Sequence, residues 1–224
     1  MSRLYPYLFA LLFTASCGDK DINNNKNGNS KDPNFAVDIG ASQIPYVVID
    51  TDEGIVNEPK VGALLQVYVE KELVQEQRIG IEYRGSTSYR LSDKKSFGIE
   101  VWDASGNDVD VSFFGMPAEE DWILNGHVVN SSEIWDPSMM RHLLAYELYR
   151  NMGNYSSRTQ LVELEVNGTY LGVYVFMEKL KRDNNRIAIS KLEATDSDIT
   201  GGYVLKIDKT TGENWEDDAK YTAI

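Results

Sequence analysis

Short runs of apolar and β-branched residues recur through the middle of the chain and are separated by polar turns. Runs of this kind are typical of β-strands. They occupy residues 44–50, 61–69, 74–83, 95–101, 122–124, 161–166, 170–177 and 201–208. Asn167-Gly168 separates two of them, and this dipeptide favours a tight β-hairpin. The hydrophobic pattern therefore predicts a series of strands that includes one hairpin.

One helix is predicted, from Pro137 to Met152. Asp136 can accept hydrogen bonds from the first turn, proline suits that turn, and Gly153 ends the helix. On a helical wheel, Glu147 lies within the apolar face. The other members of that face are Met140, Leu143, Leu144 and Leu148. A carboxylate in this position either meets a cationic partner or lies at the rim and reaches solvent.

Residues 84–101 combine a polar loop, which carries two arginines, with the strand that follows it. Backbone N–H groups, hydroxyls and guanidinium groups together favour an anionic guest such as phosphate. In the strand after the loop, Lys95 shares a face with Phe97 and Ile99, whereas Lys94 lies on the other face. A buried lysine is costly unless it meets an anion, so Lys95 is the candidate ligand. The alternative is a lysine at the strand end whose ammonium group reaches water.

The composition narrows the functional classes. The formal net charge of −13 argues against a general nucleic-acid binder, because phosphate backbones are recognised by positive surfaces. The single cysteine, Cys17, excludes a disulfide within the chain. The only two histidines, His127 and His142, fall on a predicted loop and the predicted helix without the spacing of metal ligands, so no metal site is predicted from them.

The N-terminus resembles a bacterial lipoprotein signal. Arg3 precedes an apolar segment, and small residues lead directly to Cys17. We expect a signal peptide at residues 1–17, lipidation of Cys17 and a polar tether at residues 18–43. The alternative is an ordinary cleaved signal with an incidental cysteine. No later apolar run approaches the about 20 residues of a membrane span. The expected location is therefore the cell envelope, lipid-anchored, on its periplasmic or outer surface.

Several short motifs resemble, in order, those of the CotH kinase family over residues 45–208. They are Arg84-Gly85-Ser86-Thr87-Ser88, Lys94-Lys95-Ser96-Phe97, Met116-Pro117 with Asp121-Trp122, Asp136-Pro137-Ser138-Met139-Met140-Arg141, Arg158, Glu163, Asn167-Gly168-Thr169-Tyr170-Leu171-Gly172-Val173-Tyr174, Met177-Glu178-Lys179 and Gly201-Gly202-Tyr203. The resemblance implies an α+β fold at residues 44–224, similar to the N-terminal lobe of a protein kinase, with an antiparallel sheet and one main helix.

The resemblance also implies a function, namely transfer of the γ-phosphoryl group of ATP, with Mg²⁺, to a serine of a protein substrate. The loop after position 83 would hold phosphate, Lys95 would contact it, Glu147 would steady the lysine, and Glu178 would lie beside the adenine. The implied nucleotide-binding residues are Arg84, Gly85, Ser86, Ser88, Lys95, Glu147 and Glu178.

The catalytic residues stay unassigned at this stage. In the family, the catalytic and metal-binding aspartates follow well after the segment that resembles Gly201-Gly202-Tyr203, and this sequence ends at Ile224 before such a segment. We therefore expect the N-terminal part of a longer protein or a truncated relative, with the Mg²⁺ site only in a longer chain. The alternative function is a non-catalytic surface lipoprotein that binds a protein or glycan through a kinase-like scaffold, since little ATP is present outside cells.

Overall fold

The computed structural model describes residues 44–129, 136–193 and 195–204. All of them belong to one unit, Pro33–Ile224. The predicted signal peptide, Cys17 and the tether lie outside the described residues. Within the described ranges, no helix combines the length and the apolar character needed to cross a membrane.

The described part of the chain contains seven strands that close into a barrel. They are β1 (Tyr46–Asp50), β2 (Val61–Val69), β3 (Glu72–Arg84), β4 (Ser96–Trp102), β5 (Asp121–Asn125), β6 (Thr159–Val166) and β7 (Thr169–Glu178). Their order around the barrel is β1-β2-β3-β4-β5-β7-β6. Neighbouring strands are antiparallel except β1 and β6, whose parallel pairing closes the barrel. Closure removes the exposed edges that an open sheet would present.

The barrel interior is the main hydrophobic core. Alternate residues of each strand point inward, as the period of two requires, so that Phe97, Ile99 and Val101 of β4 are all buried there. Trp122 and Phe176 pack at the centre with ring centroids 5.4 Å apart. Full burial of a large apolar side chain contributes about 1.5–3 kcal/mol, so the interior alone accounts for much of the stability of the fold.

The predicted hairpin is confirmed. β6 and β7 pair antiparallel and are joined by Asn167-Gly168, whose φ angles are 48° and 72°. Positive φ at both central residues matches the twist of the two strands, and Asn and Gly tolerate that conformation best. The predicted strand at residues 201–208 differs, because Gly201–Val204 is not a strand and residues 205–208 lie outside the described residues.

Two helices are present among the described residues, α1 (Thr87–Leu91) and α2 (Arg141–Asn151). The short α1 occupies part of the predicted polar loop. The predicted helix from Pro137 to Met152 is too long at its start, because residues Pro137–Met139 form a turn. In that turn Asp136 Oδ1 accepts from the Ser138 N–H at 3.2 Å, and Asp136 Oδ2 accepts from the Arg141 N–H at 2.9 Å.

The helix α2 lies on the outside of the barrel. Its Tyr146 packs against the cluster of Ile123, Val175 and Met177 on the outer face of β5 and β7. By contrast, Leu148 is 63% exposed, and Leu144 and Met140 are also exposed. The barrel fills its own interior, so its core does not need the apolar face of this helix. The predicted antiparallel sheet is therefore present, and the described fold is mostly β, with α2 (Arg141–Asn151) shorter than the predicted helix from Pro137 to Met152.

Candidate functional site

A cleft of about 490 Å³ lies between the outer face of β5 and β7, helix α2 and the segment that follows β7. Volumes of this size are typical of small-molecule sites. Its lining residues are Arg84, Ile123, Asn125, His142, Tyr146, Met177, Glu178, Lys179, Leu180, Lys181, Arg182, Ile187 and Val204. Apolar side chains from the two strands therefore face cationic groups from β3 and from the segment after β7.

Arg186 fixes the segment after β7 against the barrel. Its Nη1 donates to the carbonyl of Lys179 at 2.8 Å and its Nη2 to the carbonyl of Asp121 at 2.9 Å. The guanidinium lies 5.1 Å from the centre of the Trp122 ring, within range of a cation–π contact. One buried arginine thus joins the wall of the cleft to the start of β5.

The lysines of this wall are paired with carboxylates. Lys179 Nζ lies 3.0 Å from Asp121 Oδ1, and Lys181 contacts both Glu119 and Glu120. Burial by itself would lower the pKa of Lys181, but the hydrogen bonds to Glu119 and Glu120 outweigh it and raise that pKa. These lysines are therefore largely neutralised by their partners.

Two other cations of the cleft, Arg84 and Arg182, have no carboxylate within 4.0 Å among the described residues. Arg84 is the last residue of β3, and Arg182 belongs to the segment after β7. Because guanidinium groups bind phosphate and carboxylate oxygens with two parallel hydrogen bonds, these two are the natural contacts for an anionic ligand.

The loop after Arg84 makes a tight turn into α1. Gly85 has φ of +108°, and a Cβ at this position would lie 2.3 Å from Ser88 Oγ. Ser86 occupies the position just before the helix. The predicted cradle residues Arg84, Gly85, Ser86 and Ser88 are thus held together locally, but only Arg84 lines the cleft in the part of the chain that is described.

The two lysines before β4 point away from the cleft. Lys95 Nζ donates to the carbonyls of Tyr89 at 2.6 Å and Ser92 at 2.8 Å, so it caps the end of α1. Lys94 Nζ donates to the carbonyl of Val173 at 2.6 Å, and burial lowers the pKa of Lys94 to about 8. Because β4 begins at Ser96, the alternation of that strand does not extend to Lys95 as the sequence argument assumed.

Glu147 and Lys95 are not brought together. The side chain of Glu147 is 50% exposed and pairs with Arg150 one turn along α2, which matches the alternative of a carboxylate at the rim. Glu178 does line the cleft, but its carboxylate is fully buried and holds Arg158 at 2.7 Å through Nη1. Its other oxygen accepts from the Arg158 N–H at 2.8 Å. This carboxylate therefore organises the cleft wall rather than facing its interior.

Sequence reasoning missed the apolar floor of the cleft, Ile123 and Met177, and its cation Arg182. Ile123 and Met177 lie on the barrel exterior, and the hydrophobic pattern alone predicts only that they belong to strands. Arg182 belongs to a charged segment in which no local signal distinguishes it from its paired neighbours Lys179 and Lys181.

A protein-family model described as CotH kinase protein matches residues 81–223, which is more than half of the chain. The chain belongs to the CotH kinase family. The match begins inside β3 at Ile81 and includes every residue that lines the cleft. A comparison with curated proteins found no match for this chain.

Proposed function

We propose that this CotH-family chain binds ATP in the cleft beside β5 and β7 and serves phosphoryl transfer to serine in a protein substrate. The observation that carries the proposal is an apolar floor beside two arginines that have no carboxylate within 4.0 Å in the described part of the chain. A nucleotide has the matching chemistry, a flat aromatic base joined to a polyanion.

The floor suits the base. Ile123 and Met177 offer apolar contact, and Tyr146 of α2 packs against them and extends this apolar surface. Lys179 and Leu180 of the segment after β7 also line the cleft. This arrangement supports assignment of the segment after β7 to the linker beside the adenine.

The arginines suit the phosphates. Phosphoryl transfer depends mainly on positioning and on neutralisation of charge around the transferred group. Arg84 and Arg182 would neutralise part of the charge on the phosphates, and the tight turn at Gly85 would fix the direction of Arg84. In this proposal the barrel with α2 acts as the nucleotide-binding lobe of a kinase-like fold.

The described cleft suits the base and the phosphates of ATP but does not offer a set of ligands for Mg²⁺. Mg²⁺ prefers oxygen ligands in an octahedral arrangement. Among the described residues, the one carboxylate that lines the cleft is Glu178, and Arg158 holds it. The described part of the cleft therefore has no free carboxylate for Mg²⁺.

Binding is tested by isothermal titration calorimetry and thermal shift of the full chain with Mg-ATP. We expect Arg84→Ala to weaken binding by about 10- to 100-fold, since a hydrogen bond to a charged group contributes about 1.5–3 kcal/mol. Arg78→Ala, which removes an exposed arginine of the same strand that does not line the cleft, is the matched control and should bind ATP as the wild type does. Absence of any ATP effect on the wild type would refute the proposal and favour the non-catalytic scaffold.

Lys95→Ala separates two roles for the lysine that the family resemblance places at the phosphates. Weaker ATP binding at an unchanged melting temperature supports a phosphate contact. A lower melting temperature with unchanged affinity supports a structural role at the end of α1, where Lys95 holds two carbonyls.

Attachment to the cell envelope through a lipidated Cys17 is part of the same proposal and rests on the sequence alone. Fatty-acid labelling of the expressed protein that persists in Cys17→Ser would refute it.

A further inference from the structure

His127 is a buried side chain without the partners that such a side chain needs. It follows β5, and its side chain is 0% exposed. Neither Nδ1 nor Nε2 has a hydrogen-bond partner among the described residues. Buried polar groups in native proteins are almost always paired, because an unpaired one loses its water without compensation. The unpaired nitrogens of His127 are therefore available to bind a ligand.

Asp136 and His142 lie next to this imidazole. Asp136 Oδ2 is 3.8 Å from His127 Nδ1, too long for a hydrogen bond. The rings of His127 and His142 have centroids 5.7 Å apart. One nitrogen or oxygen atom from each of the three residues lies within 4.8 Å of the other two.

We propose that His127, Asp136 and His142 bind a divalent transition-metal ion of the zinc class. Two imidazoles and one carboxylate are a donor set that Zn²⁺ binds well. Zinc–ligand bonds of about 2.0–2.1 Å place tetrahedral ligand atoms about 3.3 Å apart. The His127–Asp136 separation of 3.8 Å is near that value, and a ligand atom of the exposed His142 lies within 4.8 Å of both.

The local structure holds two of these ligands in place. The Val129 N–H donates to Ser92 Oγ at 3.0 Å and the Asp93 N–H donates to the Val129 carbonyl at 2.6 Å, which anchors the backbone close to His127. Asp136 is held by the N–H groups of Ser138 and Arg141 at the entrance to α2. A bound ion would therefore join the loop after β5 to the first turn of α2.

The site adjoins the cleft but differs from the magnesium of Mg-ATP. His142 lines the cleft, so the ion would lie at its rim. Mg²⁺ prefers oxygen donors, whereas two of these three donors are nitrogens. The inference therefore does not depend on nucleotide binding, and it is tested without nucleotide.

The experiment uses the full chain without a histidine tag, stripped of metal by a chelator. We expect one equivalent of Zn²⁺ to bind at micromolar concentration in calorimetry. We also expect Co²⁺ to give the visible absorption of a low-coordinate site. His142→Gln should weaken binding at least about tenfold, since loss of even an outer partner of a metal ligand costs about 10- to 100-fold. Tyr149→Gln, at an exposed position on the same helix, should leave binding unchanged.

His142 carries the test because it is exposed and its replacement should not prevent folding, unlike that of the buried His127. The proposal is overturned if the wild type binds no Zn²⁺ or if His142→Gln binds it as tightly as the wild type. It is also overturned if binding is lost in Cys17→Ser, which would place the ion at the cysteine. Displacement of Zn²⁺ by millimolar Mg²⁺ would count against it as well.

Discussion

Replacement of Arg186 by methionine tests whether one buried arginine holds the wall of the cleft. The Arg186 side chain is only 1% exposed, and its Nη1 lies 3.1 Å from Glu119 Oε2. The same guanidinium donates to the carbonyls of Lys179 and Asp121. Methionine keeps much of the length and apolar contact with Trp122 but removes the charge and every donor.

The expected loss of stability depends on the buried Glu119 carboxylate, which loses Arg186 as its partner. Removal of one partner of a buried ion pair costs about 3–5 kcal/mol, because the other charge is left buried and uncompensated. Lys181 still contacts Glu119 and reduces that cost, so we expect a loss in the free energy of unfolding near the lower end of this range. A loss of about 3 kcal/mol is large against a typical total of about 5–15 kcal/mol.

The assay is urea unfolding followed by tryptophan fluorescence, with free energies taken from the midpoint and slope. Lys191→Met is the matched control, because Lys191 and its partner Glu193 are both exposed and such pairs contribute about 0–1 kcal/mol. Glu119→Gln in the Arg186→Met background should restore part of the loss, since it removes the stranded charge.

The pH dependence gives an independent check. Burial raises the pKa of Glu119 even with Arg186 present, and loss of the arginine would raise it further. When folding raises the pKa of a carboxyl, the folded protein is favoured at low pH, where the carboxyl is protonated. The free energy of unfolding then falls as pH rises. The deficit of Arg186→Met should therefore be smaller at about pH 5 than at about pH 8. A deficit below about 1 kcal/mol at pH 8, or one independent of pH, would refute the reasoning.

Two further predictions concern the loop and strand around α1. The pKa of Lys94 falls from 10.5 to about 8 in the folded protein, so between these values the unfolded state binds more protons and the free energy of unfolding should rise with pH. Lys94→Met should lack that rise in urea unfolding at about pH 7.5 and 9.5, and equal slopes for the two proteins would contradict it. Gly85→Ala should destabilise the fold by about 1–3 kcal/mol, because φ is +108° and the new Cβ meets Ser88 Oγ. Gly62→Ala, whose Cβ would meet nothing within 4 Å, is the control, and equal midpoints for the two variants would show that the turn is not strained.

The strands were largely predictable from the sequence because their signals are local. Alternation with a period of two places Ile99 and Val101 on one face whatever the rest of the chain does. The Asn167-Gly168 turn likewise depends on only four residues. Family membership was also readable, since the motifs at Arg84, Lys95 and Glu178 occur in a fixed order.

The position of the helix relative to the core was not predictable. A helical wheel shows that α2 has an apolar face but not what that face contacts. The barrel closes through the parallel pairing of β1 with β6, which lie more than 100 residues apart in sequence, and this closure leaves α2 outside. As a result Glu147 pairs with its neighbour Arg150 on the surface rather than with Lys95.

What the sequence determined by itself is the seven strands of the barrel, the hairpin and the family, because each rests on neighbours along the chain. Tertiary structure decided which charged groups stay unpaired. Lys95 donates hydrogen bonds to carbonyls at the end of α1, whereas Arg84 lines the cleft. His127 and His142 are 15 positions apart with no ligand-like spacing, yet folding brings their rings together beside Asp136. The free energy of burying or pairing a charge depends on what surrounds it in space, and linear spacing does not contain that information.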